Sequence, residues 1–369
     1  MSIIIVIEII FVLAFLTQLY FYLFVYRKLA IYTPNQIPES APPASVIVCA
    51  KNEEKKLEKN LISILEQNYP CFEVIVVDDA STDNSYKVLL NFQKQFKNLS
   101  IVTISPEKSC GKKNALTQGI KASKYESLLL TDADCMPKSK NWINKMSRKF
   151  SSQNEIILGY GAYEYRAGFL NAIVRFDTIY IAFQYLSFAI AGMPYMGVGR
   201  NLAYKKQLFT KNNGFKSHIN VMSGDDDLFI NEVANAANTV IEINEEAQTL
   251  SLPKENGYSW LYQKRRHLTT GIKYKPSIKF YLGLSQLSLI AFYASFVYII
   301  TITPIFLPII VLFLVRTFIQ IFTFKACLIK LNEKHHVVLF PIYELFILIL
   351  NLFLVTLNLI YTPNSWQKN

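Results

Sequence analysis

The sequence predicts an α/β domain with a mostly parallel sheet, attached to a membrane by apolar helices at both ends. Two long apolar stretches carry the membrane prediction, one at the start of the chain and one covering most residues after Tyr281. Between them, strand-length apolar runs alternate with amphipathic helical segments. Strands that are apolar on both faces are typical of a parallel sheet covered by helices on each side.

Residues 1–26 are predicted to be a transmembrane anchor, because crossing the ~30 Å hydrocarbon layer takes about 20 helical residues. The segment lacks the basic start, the short apolar run and the cleavage site of a signal peptide. Arg27 and Lys28 follow directly, which places the next segment in the cytoplasm. The predicted linker, residues 27–43, then leads to the soluble domain.

Three further transmembrane helices are predicted in the region 280–361, and a tail follows at 362–369. The predicted helices are 282–303, 304–324 and 337–361. The lysines around them favour an integral protein of a bacterial inner (plasma) membrane with its soluble domain in the cytoplasm. Arg316 lies inside the second helix, and we expect its side chain to extend to the cytoplasmic interface. A polar path through the membrane is the alternative.

The formal net charge of +11 raises the question of nucleic-acid binding. Much of the excess lies beside the predicted membrane helices, where it would face membrane lipid, and the sequence indicates no nucleic-acid module. The five cysteines are scattered and form no CxxC pair. This favours buried thiols in a reducing compartment over disulfides or a zinc site.

The soluble domain, predicted at 44–279, has a strand pattern that predicts where its ligands bind. The predicted strands are 44–50, 72–79, 99–104 and 126–132, with a helix after each of the first three. Ligands of such sheets bind at the carboxyl ends of the strands. Polar residues collect at these ends, and they include Lys51, Glu53, Asp78, Asp79, Asp132 and Asp134.

Asp132 and Asp134 leave the fourth strand one residue apart. In an extended segment residues i and i+2 point the same way, so the two carboxylates converge while Ala133 faces the sheet. A surface turn is one interpretation, because Asp and Pro137 are common in turns. The other is a site for Mg²⁺ or Mn²⁺, since hard oxygen ligands suit both cations.

Six motifs occur in a fixed order along the soluble domain: VIVCAKNEE, VIVVDDASTDNS, GKKNAL, LLLTDADCMP, SGDDDLF and YQKRRH. Together they resemble the family 2 glycosyltransferases of the GT-A fold, which is a Rossmann-like, mostly parallel sheet with helices on both faces. The resemblance covers about 44–270 and is closest to the membrane branch that includes cellulose, chitin and hyaluronan synthases and ceramide glucosyltransferase. One motif would be weak, but six in the family's order are specific.

The resemblance implies a nucleotide-sugar donor, commonly a UDP-sugar. Asp79 or Asp78 would contact the uracil. Glu53 would lie beside the base or ribose, although a charge in the first turn of a helix is an alternative role. Lys112, at the start of the helix after the third strand, would contact a phosphate.

The two acidic motifs take different parts in this resemblance. Asp134 and Asp132 would hold Mg²⁺ or Mn²⁺ and thereby offset negative charge on the departing UDP. The SGDDDLF motif would supply the general base of an inverting displacement. Aligning on Gly-Asp-Asp makes this base Asp226, and aligning on Asp-x-Asp-Leu makes it Asp225. Helix capping is the alternative role for this cluster.

The last motif matches the family's QxxRW pattern at Gln263 and Arg266, with His267 in place of tryptophan. Arg266 would pair with diphosphate oxygens, and His267 would contact the acceptor. The segment that starts at Phe169 predicts a helix against the membrane or the core, followed by a strand. Acceptor-side candidates beside that strand are Gly199, Arg200 and Asn201.

The sequence therefore predicts a membrane-bound inverting glycosyltransferase that acts on a lipid or a saccharide. A polyprenyl-phosphate sugar transferase is the first alternative, since a phosphate acceptor needs no strong base. A non-catalytic membrane scaffold that binds nucleotide is the alternative from another class of protein.

Overall fold

The computed structural model describes residues 3–34, 41–254, 256–302, 307–333 and 339–361. Several predictions therefore fall wholly or partly outside the described residues. They are the middle of the linker at 35–40, the end of one predicted membrane helix and the start of the next at 303–306, and the tail at 362–369. Lys334 and the first residues of the last predicted membrane helix also lie outside the described residues.

Short strands form the centre of the soluble domain. They are β1 (Ala44–Ala50), β2 (Phe72–Asp79), β3 (Leu99–Ile104), β4 (Ser127–Asp132), β5 (Cys135–Pro137), β6 (Ile156–Gly159), β7 (Gly161–Tyr163), β8 (Leu202–Lys205), β9 (Thr239–Glu242) and β10 (Thr249–Ser251).

Helices surround these strands and continue into the membrane region. They are α1 (Ile3–Tyr20), α2 (Arg27–Ala30), α3 (Glu54–Leu65), α4 (Ser85–Gln95), α5 (Lys112–Ala122), α6 (Trp142–Ser147), α7 (Phe169–Ile190), α8 (Lys206–Lys211), α9 (Asp227–Val233), α10 (Gly257–Leu268), α11 (Pro276–Ile302), α12 (Leu307–Lys330) and α13 (Phe340–Ile360). A π-helical segment, Phe21–Tyr26, joins α1 to α2.

The predicted α/β class is confirmed, and the main sheet is mixed. Within the described residues it has seven strands in the order β3-β2-β1-β4-β8-β6-β9. The β1–β2, β2–β3, β1–β4 and β6–β9 pairs are parallel. β8 runs antiparallel to both neighbours, β4 and β6. A three-stranded sheet, β5-β10-β7, lies beside the end of β4.

Helices cover both faces of the sheet because β1 is apolar on both faces. All seven of its residues are buried. Val46 and Val48 belong to one apolar cluster with side chains of α3, whereas Ile47 belongs to another with side chains of α5. Burial of each side chain of this size contributes about 1.5–3 kcal/mol to the stability of the fold. The two clusters therefore hold β1 in place, and with it the position of its end.

In the part of the chain that the structure describes, five helical segments are long and apolar enough to cross a membrane. They are Ile3–Ala30, α7, α11, α12 and α13. In four of them a third or less of the most apolar 18-residue stretch is buried, whereas in α7 the buried share is 78%. Phe176 of α7 packs against both Phe324 and Phe340, with ring centroids 5.9 and 5.5 Å away. α7 therefore joins the soluble domain to the membrane helices.

The expectation that Arg316 extends toward the interface is wrong. Its side chain is 1% exposed and pairs with Glu344, with Nη2 and Oε2 3.1 Å apart. Arg316 also donates to Gln18 and Gln320, and Gln320 donates to Glu344. A charge inside the membrane has to be paired, and this cluster satisfies it by joining α1, α12 and α13.

Candidate active site

Two cavities meet at the carboxyl ends of β1 and β4. The first cavity has a volume of about 380 Å³ and is lined by the acids 225–227 together with parts of α7, α10 and α11. The second has about 350 Å³ and is lined by Glu53, Lys56, Asp134 and the start of α10. Side chains shared by both cavities are Lys112, Asp132, Gln263 and Arg266.

Asp132 and Asp134 converge at the boundary of the two cavities, in a geometry suited to a divalent cation. One ligand atom each from Asp132, Asp134 and Cys135 lies within 4.8 Å of the others. Cys135 is fully buried, and its Sγ lies 2.8 Å from Ser251 Oγ. A hard cation prefers oxygen over a buried thiol, so the two half-buried carboxylates are the residues that fit Mg²⁺ or Mn²⁺.

Lys112 connects the two acidic motifs. Its Nζ lies 2.8 Å from Asp132 Oδ1 and 3.0 Å from Asp225 Oδ2. Burial alone would lower the pKa of Lys112, but the two carboxylates raise it well above its usual value. A permanent positive charge therefore stands between the end of β4 and the start of α9.

Asp225 and Asp226 have opposite electrostatic surroundings. Burial opposes ionisation of Asp225, but the charge of Lys112 holds its pKa below the usual value. Burial and the neighbouring charges of Asp225 and Asp227 raise the pKa of Asp226 to about 7. The second carboxylate is therefore better placed to take a proton near neutral pH.

Local backbone geometry holds Asp226 in place. Its Oδ2 accepts from Gly199 N at 2.7 Å, and its Oδ1 accepts from Asp227 N at 2.8 Å. A Cβ on Gly199 would lie 3.2 Å from Lys112 Nζ and 3.4 Å from Asp226 Oδ2. Because both contacts are tight, glycine lets the turn before β8 approach the acids closely.

The capping alternative applies to Asp226, which is the N-cap of α9, and Asp227 as the first residue of that helix serves structure. Its Oδ1 accepts from Leu228 N at 2.8 Å in the first turn of α9. Its Oδ2 accepts from Tyr274 OH at 2.9 Å and from Thr270 Oγ1. Asp227 thus fixes the acidic motif to the segment between α10 and α11.

The acceptor-side candidates separate into two groups. Gly199 and Arg200 line the first cavity, and the Arg200 guanidinium lies 4.3 Å from the centre of the Tyr163 ring. Asn201 was predicted on the acceptor side, but its side chain is fully buried. It donates to the carbonyls of Tyr160 and Ala247 at 2.9 and 2.8 Å. Its role is to tie β8 to its surroundings, and the acceptor-side prediction for it is corrected.

α10 brings the last motif to the site. Gln263 and Arg266 line both cavities, and His267 lines the first. The His267 ring is accessible inside the cavity, and the surrounding protein and the charge of Arg266 lower its pKa. His267 is therefore neutral at physiological pH and can donate or accept a hydrogen bond there.

The acids predicted to bind the nucleobase of the donor differ in how deeply they are buried. Glu53 lines the second cavity and pairs with Lys56 at 2.6 Å. Asp79 is fully buried 3.5 Å from Lys51 Nζ, and Asp78 accepts from Ser81 N. Neither Asp78 nor Asp79 is among the described lining residues of the two cavities, so their contact with a nucleobase stays a prediction.

Sequence reasoning missed two buried lysines. Lys264 is 7% exposed and pairs with Asp177 of α7 at 2.7 Å. Lys113 donates to the carbonyls of His218 and Val221 and so holds the loop before the acids, and burial lowers its pKa to about 8. The spacing of residues along α5 and α10 was a signal that these two lysines are buried. The residues that they contact are distant in the chain, so the sequence did not reveal them.

Residues 45–210 match the family model described as glycosyl transferase family 2. This segment is a family 2 glycosyltransferase domain. A mannosyltransferase from Pyrobaculum calidifontis, solved with GDP-Man and Mn²⁺, has a TM-score of 0.59 and 18% identity. The match covers 90% of this chain and 99% of that one, and it confirms the predicted GT-A fold.

Curated relatives of this family 2 domain match over shorter stretches. The poly-beta-1,6-N-acetyl-D-glucosamine synthase of Staphylococcus epidermidis is 32% identical over 29% of this chain and 25% of its own length. The beta-monoglucosyldiacylglycerol synthase of Nostoc is 36% identical over 27% of this chain and 22% of its own length. An uncharacterized glycosyltransferase of Haemophilus influenzae is 33% identical over 40% of this chain and 42% of its own length. The matches thus span less than half of each relative.

Proposed function

We propose that the chain is a membrane-bound inverting glycosyltransferase that moves a sugar from a nucleotide sugar to an acceptor hydroxyl. One observation carries the proposal: Lys112 lies 2.8 Å from the end of β4 and 3.0 Å from the acids before α9, at the junction of two cavities. One cavity can hold the donor and the other the acceptor. The sugar would then pass between them beside the carboxylates.

The second cavity suits the donor because its lining combines basic and aromatic side chains. Lys51, Lys56, Lys254 and Arg266 supply positive charge for a diphosphate, and Tyr258 offers a ring for stacking. The family resemblance favours a UDP-sugar, whereas the Pyrobaculum calidifontis neighbour was solved with GDP-Man. The donor assay therefore includes both nucleotides.

Asp132 and Asp134 would hold Mg²⁺ or Mn²⁺ at the edge of the donor cavity. When bound, the cation offsets negative charge on the departing nucleoside diphosphate. Arg266 lines the same cavity and would pair with diphosphate oxygens. Lys112 would keep Asp225 ionised and fixed throughout.

Asp226 would act as the general base. The acceptor hydroxyl gives its proton to Asp226 as its oxygen attacks the anomeric carbon, and the bond to the diphosphate breaks on the opposite face. This single displacement inverts the anomeric configuration. A polyprenyl phosphate is a poorer acceptor here, because the described lining of the cavity has five carboxylates against four cationic side chains and so offers an anion no excess of positive charge.

The proposed location is a bacterial inner membrane with the catalytic domain in the cytoplasm. Arg27 and Lys28 at the end of the first membrane helix support this orientation. The names of two relatives, one a polysaccharide synthase and one a glycolipid synthase, leave both a saccharide and a lipid as acceptor classes.

The direct test uses membranes that contain the full chain, incubated with Mn²⁺ and a panel of radiolabelled UDP-sugars and GDP-mannose. We expect one donor to label a product, and we expect chelation of the metal to stop the labelling. Membranes with Asp134→Asn serve as the matched negative sample. Absence of labelled product with every donor would reject the proposed function and favour the scaffold alternative.

A further inference from the structure

The first cavity extends from the acids to two helices of the membrane region. On α7 it is lined by Thr178, Ile181, Ala182 and Tyr185, whose spacing places them on one helical face. On α11 it is lined by Leu282 and Gln286, one turn apart. Both helices are long and apolar enough to cross a membrane. The cavity thus connects Asp226 with the membrane side of the protein.

The far end of this cavity has a different chemistry from the acidic end. Ile181 and Leu282 are apolar and half-buried there, and Gln286 is uncharged. The charged pair at this end, Lys264 and Asp177, is 2.7 Å apart, so the two charges offset each other. An occupant that matches both ends carries a hydroxyl toward Asp226 and becomes apolar toward α11.

The volume limits what the cavity can hold. About 380 Å³ lies near the lower end of the roughly 300–1,000 Å³ typical of small-molecule sites. A headgroup fits such a space, but long hydrocarbon chains do not. The outer surface of α11 provides a place for the chains, since Phe280 and Leu287 are 64% and 66% exposed.

We infer that the first cavity takes the uncharged, hydroxyl-bearing headgroup of a membrane lipid, which passes between α7 and α11 while its hydrocarbon chains stay in the bilayer. The inference rests on the proposed function and names its acceptor class. A water-soluble saccharide would have no use for a cavity that reaches the membrane helix α11. An anionic headgroup would meet no excess of positive charge, because four cationic side chains of the described lining face five carboxylates.

The test uses the full chain in vesicles of a bacterial total lipid extract, with the radiolabelled donor that labels membranes. Labelled product is extracted into organic solvent and passed over an anion exchanger. We expect the label in the organic phase and in the unretained, uncharged fraction. Label that stays in the aqueous phase as a saccharide, or that is retained as an anionic lipid, overturns the inference.

The proposed passage is the space between α7 and α11 through which the headgroup enters the first cavity. Two variants narrow it from opposite sides, Leu282→Trp on α11 and Ile181→Trp on α7. We expect roughly tenfold less lipid labelling in each, because a bulky ring overfills a packed wall. Leu287→Trp, on the lipid-facing side of α11, is the matched control and should label lipid like the wild type. Wild-type labelling by both passage variants would also overturn the inference.

Binding of UDP and GDP in the presence of Mn²⁺, measured by titration calorimetry, separates this inference from the proposed function. The passage variants should keep the wild-type nucleotide affinity, because Leu282 and Ile181 do not line the second cavity within the described residues. Loss of nucleotide binding in a variant means that it is misfolded, and the product analysis of the wild type then decides. Wild-type protein that binds neither nucleotide and labels nothing overturns both proposals.

Discussion

Replacing Asp226 with Asn removes the proposed base while leaving its shape. The carboxylate accepts one backbone N–H on each oxygen, from Gly199 at 2.7 Å and from Asp227 at 2.8 Å. Asparagine keeps one acceptor and turns an NH₂ group toward the other donor. The expected stability loss is the value of about one hydrogen bond, roughly 1 kcal/mol. The fold should therefore survive the change.

The loss of activity should be much larger than the loss of stability. A positioned general base contributes about 10²–10⁴-fold to the rate, which is about 3–5 kcal/mol of transition-state stabilisation. In the wild type the pKa of Asp226 is raised to about 7, and only the ionised form accepts a proton. We therefore expect kcat/KM to rise with pH and to be roughly tenfold below its plateau at pH 6.

The assay is release of nucleoside diphosphate by the full chain in lipid vesicles, followed from pH 5.5 to 8.5 at saturating Mn²⁺. Asp83→Asn is the matched control, because Asp83 is exposed and accepts from Ser85 N and Glu54 N away from the cavities. Asp226→Asn that keeps more than about a tenth of the wild-type rate would refute the base assignment. It would favour an acceptor such as a phosphate, which needs no deprotonation.

Three further outcomes follow from contacts at the site and in the membrane. Asp134→Asn should abolish the Mn²⁺ dependence of UDP binding in titration calorimetry, and metal-dependent binding at wild-type strength would contradict the assigned ligand. Lys112→Met leaves Asp132 and Asp225 without their cation. We expect turnover to fall roughly 10²-fold, whereas the unfolding temperature should change little. Wild-type turnover would contradict this role. Arg316→Met should cost about 3–5 kcal/mol by leaving the Glu344 charge unpaired, and addition of Glu344→Gln should restore much of it in detergent unfolding. No destabilisation would show that the pair is dispensable.

The strands β1 to β4 could be predicted because each is a short apolar run ending in polar residues. The strand predicted after α7 also exists as β8, but its place between β4 and β6 depends on pairing between distant segments. No local pattern gives the direction of such a strand. The mixed character of the sheet therefore became visible only in the structure.

The candidate site was predictable where chemistry and position coincide in the chain. Asp132 ends β4 and Asp134 lies in the turn before β5, so the two acids converge because they are one residue apart at the end of a strand. Asn201 failed as a site residue because residues 201–204 are all buried, and its position just before β8 gave no sign of this in the sequence. The pairing of Lys264 with Asp177 joins residues far apart in sequence, and a single helix pattern predicts burial without naming the partner.

The claim on which the account depends is that acids from two separate segments form one metal-assisted site for a nucleotide sugar. Titration of UDP and GDP into the full chain in detergent, with Mn²⁺ and after chelation, tests this claim most directly. We expect saturable binding of one nucleotide with Mn²⁺ present and much weaker binding after chelation. Equal binding in both conditions, or none in either, would contradict the claim.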